Sequence, residues 1–262
     1  MDLQTGTETL LARTEGGIGW LTFNNPARHN ALSVEMLLAV PIALAAFEAQ
    51  DDVRVVVISG AGGRAFVSGA DISEFGEKRT SPEARADYDR ATGVAWRSWS
   101  DVTKPVLAMI QGYCVGGGVM TAMQADIRIC SEDSQFGIPA ARLGLGGVEQ
   151  LTRLVGPAAA ADILFSGRRL PASEALRVGL VNQVVATADL EASVRQVADQ
   201  IAANAPLTVA ACKAAIREAV KDPHRRDLAP LEAMVEACFR SQDYLEGQRA
   251  FLEKRPPQFQ GR

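Results

Sequence analysis

The sequence predicts an α/β fold that ends in a helical region. Short runs of β-branched and apolar residues alternate with helical patterns in the first half of the chain, which is the arrangement of an α/β core. From residue 190 onward, Ala- and Glu-rich helical patterns follow one another. No Gly/Ser or Pro/Ser tract separates the two parts. We therefore predict a core over residues 1–189 that continues directly into a helical region over residues 190–262.

Four runs in the first half have the composition of strands. They are rich in β-branched and apolar residues and are bounded by turn residues. The runs cover residues 17–23, 53–59, 105–110 and 126–131, and a further extended piece covers residues 179–185.

Helical patterns occupy much of the remaining chain. Residues 33–49 are predicted to form a helix that Ser33 caps, with Glu35 in its first turn. Pro41 is expected to kink or interrupt this helix. Further helices are predicted over residues 119–124, 157–165, 171–178, 190–204, 208–220 and 230–240.

The composition is that of a globular protein and disfavours several classes of function. The chain of 262 residues is 47% hydrophobic and 22% charged, so it can bury a large core. Its net charge of −4 shows none of the basic excess typical of a nucleic-acid-binding domain. The longest apolar stretch, from Met36 to Phe47, is too short to span a bilayer. The first residues lack a secretory signal pattern, so we predict a cytoplasmic protein without a nucleic-acid or membrane partner.

Cysteine and histidine form no recognisable metal-binding or nucleophilic pattern. The four cysteines lie far apart and contain no C-x-x-C pair, so we predict neither a zinc site nor a disulfide framework. His29 and His224 are the only histidines, and no G-x-S-x-G sequence accompanies them, which argues against a Ser-His-Asp triad. We expect His224, in a charged turn, to be solvated.

Two glycine-containing turns are the strongest candidates for a functional site. Residues 67–72 (VSGADI) and residues 112–118 (GYCVGGG) each follow a predicted strand, and the second turn opens a helix. If the two turns face each other, their backbone N–H groups can converge on one oxygen, as an oxyanion hole requires. The alternative is that each is a tight turn that needs positive φ angles. Neither turn matches the glycine-rich patterns that cradle nucleotide phosphates.

A series of segments resembles the crotonase (enoyl-CoA hydratase/isomerase) superfamily along nearly the whole chain. The segments stand in the family's order, and this order carries the resemblance more than any single motif does. They are NNPARHNAL (24–32), FVSGADI (66–72), GYCVGGG (112–118), ADIR (125–128), QFG (135–137), LTRLVG (151–156), GLV (179–181) and FLEKR (251–255).

The resemblance implies a fold, an assembly and a substrate class. It implies a crotonase-like spiral of ββα units with a C-terminal helical oligomerisation region, assembled as a homotrimer or hexamer. It also implies acyl-CoA thioester substrates, with coenzyme A entering as part of the substrate and no permanently bound cofactor. The family's oxyanion-hole amides fall on Ala70 and Gly117.

The resemblance also implies a set of substrate-binding positions. Arg28 can pair with a phosphate of coenzyme A, although an ordinary solvated arginine is the alternative. Asp71 follows the oxyanion amide, and the family's Asp at this position is structural. The implied substrate-binding residues are Arg28, His29, Ala31, Asp71, Ile72, Met120, Ala140, Phe251 and Lys254.

The chain departs from the resemblance at the two positions that carry proton transfer in the family's hydratases. Those hydratases use two glutamates, and the matching positions hold Met120 and Ala140. Neither side chain can move a proton, and losing one general acid or base costs about 10²–10⁴-fold in rate.

The loop over residues 143–150 is also shorter than is usual in the family. Glu149 is the carboxylate nearest to this loop and the candidate for moving a proton. The alternative is that it only stabilises the first turn of the following helix, where the helix dipole favours an acid.

These observations predict an acyl-CoA-transforming enzyme that keeps the oxyanion hole without the hydratase glutamates. Reactions through a thioester enolate are compatible with such a site, namely isomerisation, decarboxylation and C–C bond cleavage. Thioester cleavage through a tetrahedral adduct is compatible with it as well. The alternative is a non-catalytic acyl-CoA-binding crotonase homologue.

Overall fold

We describe a computed structural model of the chain over residues 1–71, 73, 82–143 and 149–262. Its strands form two sheets, one large and one small. The strands are Asp2–Leu3 (β1), Leu10–Glu15 (β2), Ile18–Phe23 (β3), Val55–Gly60 (β4), Ala65–Val67 (β5), Val106–Ile110 (β6), Tyr113–Val115 (β7), Ile127–Ser131 (β8), Gln135–Gly137 (β9), Leu170–Pro171 (β10) and Gln183–Val185 (β11).

Ten α-helices lie within the same ranges, and short 3₁₀ turns connect several of them. No helix in the described residues has the length and apolar character needed to cross a membrane. The helices are Val34–Glu48 (α1), Pro82–Asp101 (α2), Gly117–Ala122 (α3), Glu149–Val155 (α4), Pro157–Ser166 (α5), Ala172–Arg177 (α6), Leu190–Ala202 (α7), Pro206–Ala219 (α8), Ala229–Arg240 (α9) and Gln242–Glu253 (α10).

The topology repeats one structural unit three times. Each unit places a first strand in the large sheet and a second strand in the small sheet (β4 then β5, β6 then β7, β8 then β9), and a helix or helical turn follows. The strand order is β1-β2-β3-β4-β6-β8-β11 in the large sheet and β10-β9-β7-β5 in the small sheet. Successive units add parallel neighbours to both sheets, and the chain winds as a spiral of ββα units, as the resemblance implied.

Hydrophobic packing covers both faces of the large sheet. Residues 55–58 on β4 are fully buried, as expected for a parallel strand with both faces covered. The larger cluster joins one face to α1, α2 and the small sheet. On the other face, Val57 and Leu107 pack with Leu190 and Val194 of α7. The helix that begins the predicted C-terminal region therefore lies directly on the sheet, and the division at residue 190 stays a prediction.

Helix α1 shows how local sequence and burial combine. The Ser33 side chain accepts a hydrogen bond from the backbone N–H of Met36 at 3.1 Å, which confirms the predicted cap. The helix continues through Pro41, so the expected interruption does not occur. Burial on both sides of Pro41, including Val40 and Leu44, offsets the backbone hydrogen bond that proline cannot make.

Helix α2 and several strands were not predicted from the sequence. Helix α2 is rich in charged residues, and only scattered side chains such as Tyr88, Ala95 and Trp99 are buried. Strands β5, β7 and β9 have three residues each, too few for an alternating pattern to be recognised. Tertiary packing, rather than local pattern, specifies these elements.

An ion pair between a buried lysine and an aspartate joins helix α8 to the large sheet. The side chain of Lys213 is 6% exposed, and its Nζ lies 2.8 Å from Oδ2 of Asp126 and donates to the carbonyl of Lys104 at 2.7 Å. The same Oδ2 accepts the backbone N–H of Val106 at 2.7 Å. Burial lowers the pKa of Lys213, and the Asp126 carboxylate opposes that shift. Because a buried ammonium is costly without a partner, the pair fixes α8 against the starts of β6 and β8.

Candidate active site

The two glycine turns meet where the small sheet ends. Helix α3 begins directly after β7, and its first turn lies against the end of β5. A Cβ atom built on Gly118 would lie 1.9 Å from the carbonyl oxygen of Val67, so only glycine allows this approach. Gly116 adopts φ 54° and ψ −114°, which turns the chain from the strand into the helix and also favours glycine.

The backbone of Ala70 points its N–H away from Leu32. Leu32 donates its N–H to the carbonyl of Gly69 at 2.8 Å and accepts the N–H of Asp71 at 2.9 Å, which pairs Leu32 with Ala70 as in a parallel ladder. Backbone groups of successive residues in an extended strand point in opposite directions. The N–H of Ala70 is therefore turned to the other side, where a Cβ atom built on Gly117 would lie 3.4 Å from the Ala70 nitrogen.

Gly117 supplies a second free N–H in the same place. It is the first residue of α3, and the N–H groups of a first helical turn have no partner within the helix. On either side of this first turn the donors are occupied, since Gly116 donates to the carbonyl of Gly137 at 2.7 Å and Met120 donates to that of Gly116 at 3.2 Å. Within the described residues, neither Ala70 nor Gly117 has an acceptor for its N–H. The structure thus brings the two predicted amides together.

The Arg28 side chain lies against the residue that follows Ala70. Its Nη1 lies 2.8 Å from Oδ2 of Asp71 and 2.6 Å from Oγ of Ser73. Ser73 donates its backbone N–H to Oδ1 of Asp71 at 3.0 Å and its hydroxyl to the same oxygen at 2.6 Å. The Ser73 hydroxyl, with the Ser73 N–H and the Arg28 guanidinium, holds the pKa of Asp71 below its usual value. Ser73 was not predicted; the spacing Asp-x-Ser, typical of an Asx turn, is the signal that identifies it.

The other implied substrate-binding residues near the first segment have structural partners. The ring of His29 meets the ring of Tyr113 edge-on at 6.3 Å, and the guanidinium of Arg169 lies 4.9 Å from the centre of the same Tyr113 ring. Ala31 is buried and donates its N–H to the carbonyl of Arg28 at 3.1 Å. Ile72 lies outside the described residues.

The two positions predicted to lack the hydratase glutamates lie in the segments that follow the paired strands β7 and β9. Met120 is half-buried on helix α3, three residues after Gly117. Ala140 lies in the 3₁₀ turn Pro139–Leu143 and packs against the main hydrophobic cluster. Glu149 begins helix α4, the position its alternative role requires, and its side chain lies outside the described part of the chain.

Phe251 and Lys254 lie elsewhere in this chain. Phe251 lies in the last turn of helix α10 and is 83% exposed, and it lines an apolar cleft between α8, α9 and α10. Lys254 ends the same helix in a left-handed conformation with φ 52°. The described chain therefore places both residues at the helical region and not beside Ala70 and Gly117.

Cys114, next to the second glycine turn, is a packing residue. It is fully buried in the main hydrophobic cluster, and burial raises the pKa of its thiol well above the usual value. A thiol that stays protonated is a poor nucleophile. The described residues contain no group of three or more His, Cys, Asp or Glu side chains that could hold a metal ion.

Comparisons with known proteins identify the family to which the chain belongs. The family model "Enoyl-CoA hydratase/isomerase" matches residues 13–262. The chain is 35% identical to a short-chain-enoyl-CoA hydratase of Clostridium acetobutylicum, covering 94% of this chain and 95% of that protein. It is 34% identical to a carnitinyl-CoA dehydratase of Salmonella typhi, covering 98% and 100%.

A solved structure matches the whole fold. The crystal structure of an enoyl-CoA hydratase/carnithine racemase from Magnetospirillum magneticum aligns with a TM-score of 0.90 at 36% identity, covering 98% of this chain and 97% of that one. The chain belongs to the enoyl-CoA hydratase/isomerase family, and the resemblance noted in its sequence is confirmed.

The two adjacent glycines of α3 should respond very differently to a methyl group. Gly118→Ala places Cβ against the backbone of Val67 and should lower the free energy of unfolding by about 3 kcal/mol or more. Gly117→Ala, the matched control, places Cβ 3.2 Å from the terminal Cδ1 of Leu32 and no nearer than 3.4 Å to any backbone atom outside its own helix and chain neighbours, and should cost about 1 kcal/mol or less. Urea unfolding followed by circular dichroism measures both. Equal stability of the two variants would contradict the close approach.

Proposed function

We propose that the protein binds acyl-CoA thioesters and polarises the thioester carbonyl between the N–H groups of Ala70 and Gly117. The observation that carries this proposal is the meeting of two backbone donors that have no acceptor among the described residues, one in the bridge between Ala70 and Leu32 and one at the start of a helix. The names of the relatives support the substrate class, since both proteins compared above are named for CoA thioesters.

The chemistry follows from where negative charge develops. Loss of a proton next to a thioester, or addition of a nucleophile to its carbonyl, places charge on the carbonyl oxygen. Two donors fixed by the backbone stabilise that oxygen without reorganising, and each is worth about 3 kcal/mol in comparable sites. The donors need no ionisable side chain, so this part of the site is independent of pH over the neutral range.

Binding of butyryl-CoA labelled with ¹³C at the thioester carbonyl tests the proposal. Isotope-edited infrared spectra should show a lower carbonyl stretching frequency for the bound thioester than for the free one, because two N–H donors weaken the C=O bond. Gly117→Ala should reduce this change while coenzyme A itself still binds, since the added methyl lies 3.4 Å from the Ala70 nitrogen. An unchanged carbonyl frequency in the wild-type complex would refute the oxyanion hole.

For the reaction itself, we propose chemistry that does not depend on the two hydratase glutamates. Met120 and Ala140 stand where those glutamates would be, and neither can position water or transfer a proton. Isomerisation, decarboxylation, C–C bond cleavage and thioester cleavage are the reactions this leaves. The absence of both acids also favours the second candidate, an acyl-CoA-binding protein without turnover. Release of coenzyme A, or a change in absorbance, with a panel of thioesters distinguishes the two.

Hydration of crotonyl-CoA should therefore be weak or absent in the wild-type protein. The double change Met120→Glu with Ala140→Glu should restore part of it by supplying both carboxylates, and Met120→Gln with Ala140→Gln is the matched control of similar size that transfers no proton. Loss of the enoyl-thioester absorbance measures the rate. Wild-type turnover of about 10 s⁻¹ or faster would show that another group performs the proton transfer, and Glu149 would then be mutated first.

We also propose a homo-oligomer, a trimer or a hexamer. Helices α8, α9 and α10 line an open apolar cleft of about 730 Å³, and large apolar side chains such as Phe239 and Phe251 are 58% and 83% exposed around it. Apolar patches of this extent are uncommon on monomers and usually mark an interface.

Light scattering at micromolar concentration should give three or six times the chain mass of 27.9 kDa. Phe239→Asp should lower the assembled mass, because a carboxylate would be buried in the interface. Phe165→Asp is the control, since Phe165 is 81% exposed and lies outside the cleft. A wild-type mass of 27.9 kDa would contradict the assembly.

A further inference from the structure

Two segments far apart in sequence run side by side at the proposed oxyanion hole. Ser68 donates its N–H to the carbonyl of His29 at 3.1 Å, Leu32 donates to Gly69 at 2.8 Å, and Asp71 donates to Leu32 at 2.9 Å. These three bonds set the direction of the Ala70 N–H. The third bond is donated by the N–H of Asp71, which belongs to the same peptide unit as the Ala70 carbonyl. A movement of Asp71 therefore also turns the backbone at Ala70.

Side-chain contacts also join the same two segments. Arg28, in the first segment, donates to Oδ2 of Asp71 at 2.8 Å and to the Ser73 hydroxyl at 2.6 Å, while Ser73 holds the other carboxylate oxygen through its N–H and hydroxyl. We call the contacts among Arg28, Asp71 and Ser73 the clasp. It lies one residue beyond Ala70, and it supplements the single backbone bond from Asp71 to Leu32.

The two charged partners of the clasp differ in exposure. The Asp71 side chain is 11% exposed and the Arg28 side chain is 56% exposed. A carboxylate this well covered needs a charged or hydrogen-bonded partner, whereas the exposed guanidinium needs none to be solvated. Ser73 supplies two donors to Oδ1 of this carboxylate and Arg28 donates to Oδ2, so the arginine and the serine together support the carboxylate.

We propose that Arg28 and Asp71 are positioning residues that hold the Ala70 N–H in the direction needed to polarise the thioester carbonyl. This inference rests on the proposed function, because it assigns the clasp to the same amide. Arg28 acts through Asp71 and not as a ligand of a coenzyme A phosphate. A displaced donor loses most of its value, since misplacement by about 1 Å costs on the order of 100-fold in rate.

The clasp also has a predictable dependence on pH. The lowered pKa of Asp71 keeps its carboxylate ionised above about pH 5, where an unperturbed aspartate is also ionised. The stabilisation is thus fully present above the unfolded-state value and is lost only as pH falls through the lowered folded-state value. Carbonyl polarisation should be constant from about pH 5 to pH 8.

The experiment separates positioning from binding with two ligands. Isotope-edited infrared spectra of bound [¹³C-carbonyl]butyryl-CoA report the polarisation, and calorimetry with free coenzyme A reports affinity for the phosphates and nucleotide. The variants are Arg28→Met, Asp71→Asn and Arg28→Lys. Arg177→Met is the matched control, because Arg177 is also an exposed arginine in an ion pair, with Glu174 at 3.3 Å and 72% exposure.

We expect Arg28→Met and Asp71→Asn each to lose most of the carbonyl frequency shift. The Kd for coenzyme A should change by less than about twofold in both variants, well below the tenfold change that corresponds to 1.4 kcal/mol. The double variant should lose no more than either single one, since both act through one contact. Arg28→Lys should recover part of the shift, and Arg177→Met should retain all of it.

Three results would overturn the inference. One is a full carbonyl shift in Arg28→Met. Another is a weaker Kd for coenzyme A in Arg28→Met with the shift retained, which would make Arg28 a phosphate ligand. The third is additive losses in the double variant. Because Arg28 is exposed, Arg28→Met keeps the test informative even if Asp71→Asn unfolds. Absence of the shift in the wild-type protein would refute the oxyanion hole itself, and so distinguishes failure of the proposed function from failure of this inference.

Discussion

The approach of helix α3 to strand β5 is the constraint on which the candidate site depends. The two elements meet at the backbone of Gly118 and Val67, where a Cβ atom on Gly118 would lie 1.9 Å from the Val67 carbonyl oxygen, so any side chain there would force them apart. This contact sets the start of α3 beside Ala70. The pairing of β5 with β7 and of β7 with β9 supports it, because each strand delivers its following turn to the same end of the small sheet.

A site built from backbone donors has consequences for how function relates to sequence. The N–H groups of Ala70 and Gly117 are directed by strand pairing and by a helix start, so the fold itself supplies them. Side chains then serve two other purposes: they hold the backbone in place, or they supply chemistry that the amides lack. Arg28 and Asp71 belong to the first group by their contacts. The family's hydratase glutamates belong to the second group, and we propose that this chain does without them, since the matching positions hold Met120 and Ala140.

Much of the fold could be predicted from local sequence, and the unpredicted parts share a physical cause. Ser33 and its helix, and strands β3, β4, β6 and β8, carry enough local pattern to be recognised. Helix α2 and the three-residue strands depend on contacts made by distant parts of the chain. At the site, the sequence showed two glycine turns, and the family resemblance assigned the amides to Ala70 and Gly117. The ion pair of Arg28 with Asp71 spans 43 residues and leaves no local pattern, so only the folded chain reveals it.

Polarising a carbonyl and moving a proton are separate tasks, and different groups perform them. Two fixed N–H donors stabilise an oxyanion whatever forms it, whereas the proton-transfer group must reach a particular carbon of a particular acyl group. A fold that carries the first task in its backbone can therefore change its reaction by exchanging a few side chains. Under the proposed function, Met120 and Ala140 are two such exchanges. For this reason, the similarity of the whole chain to proteins named hydratases supports the binding and polarisation of a thioester more strongly than it supports hydration.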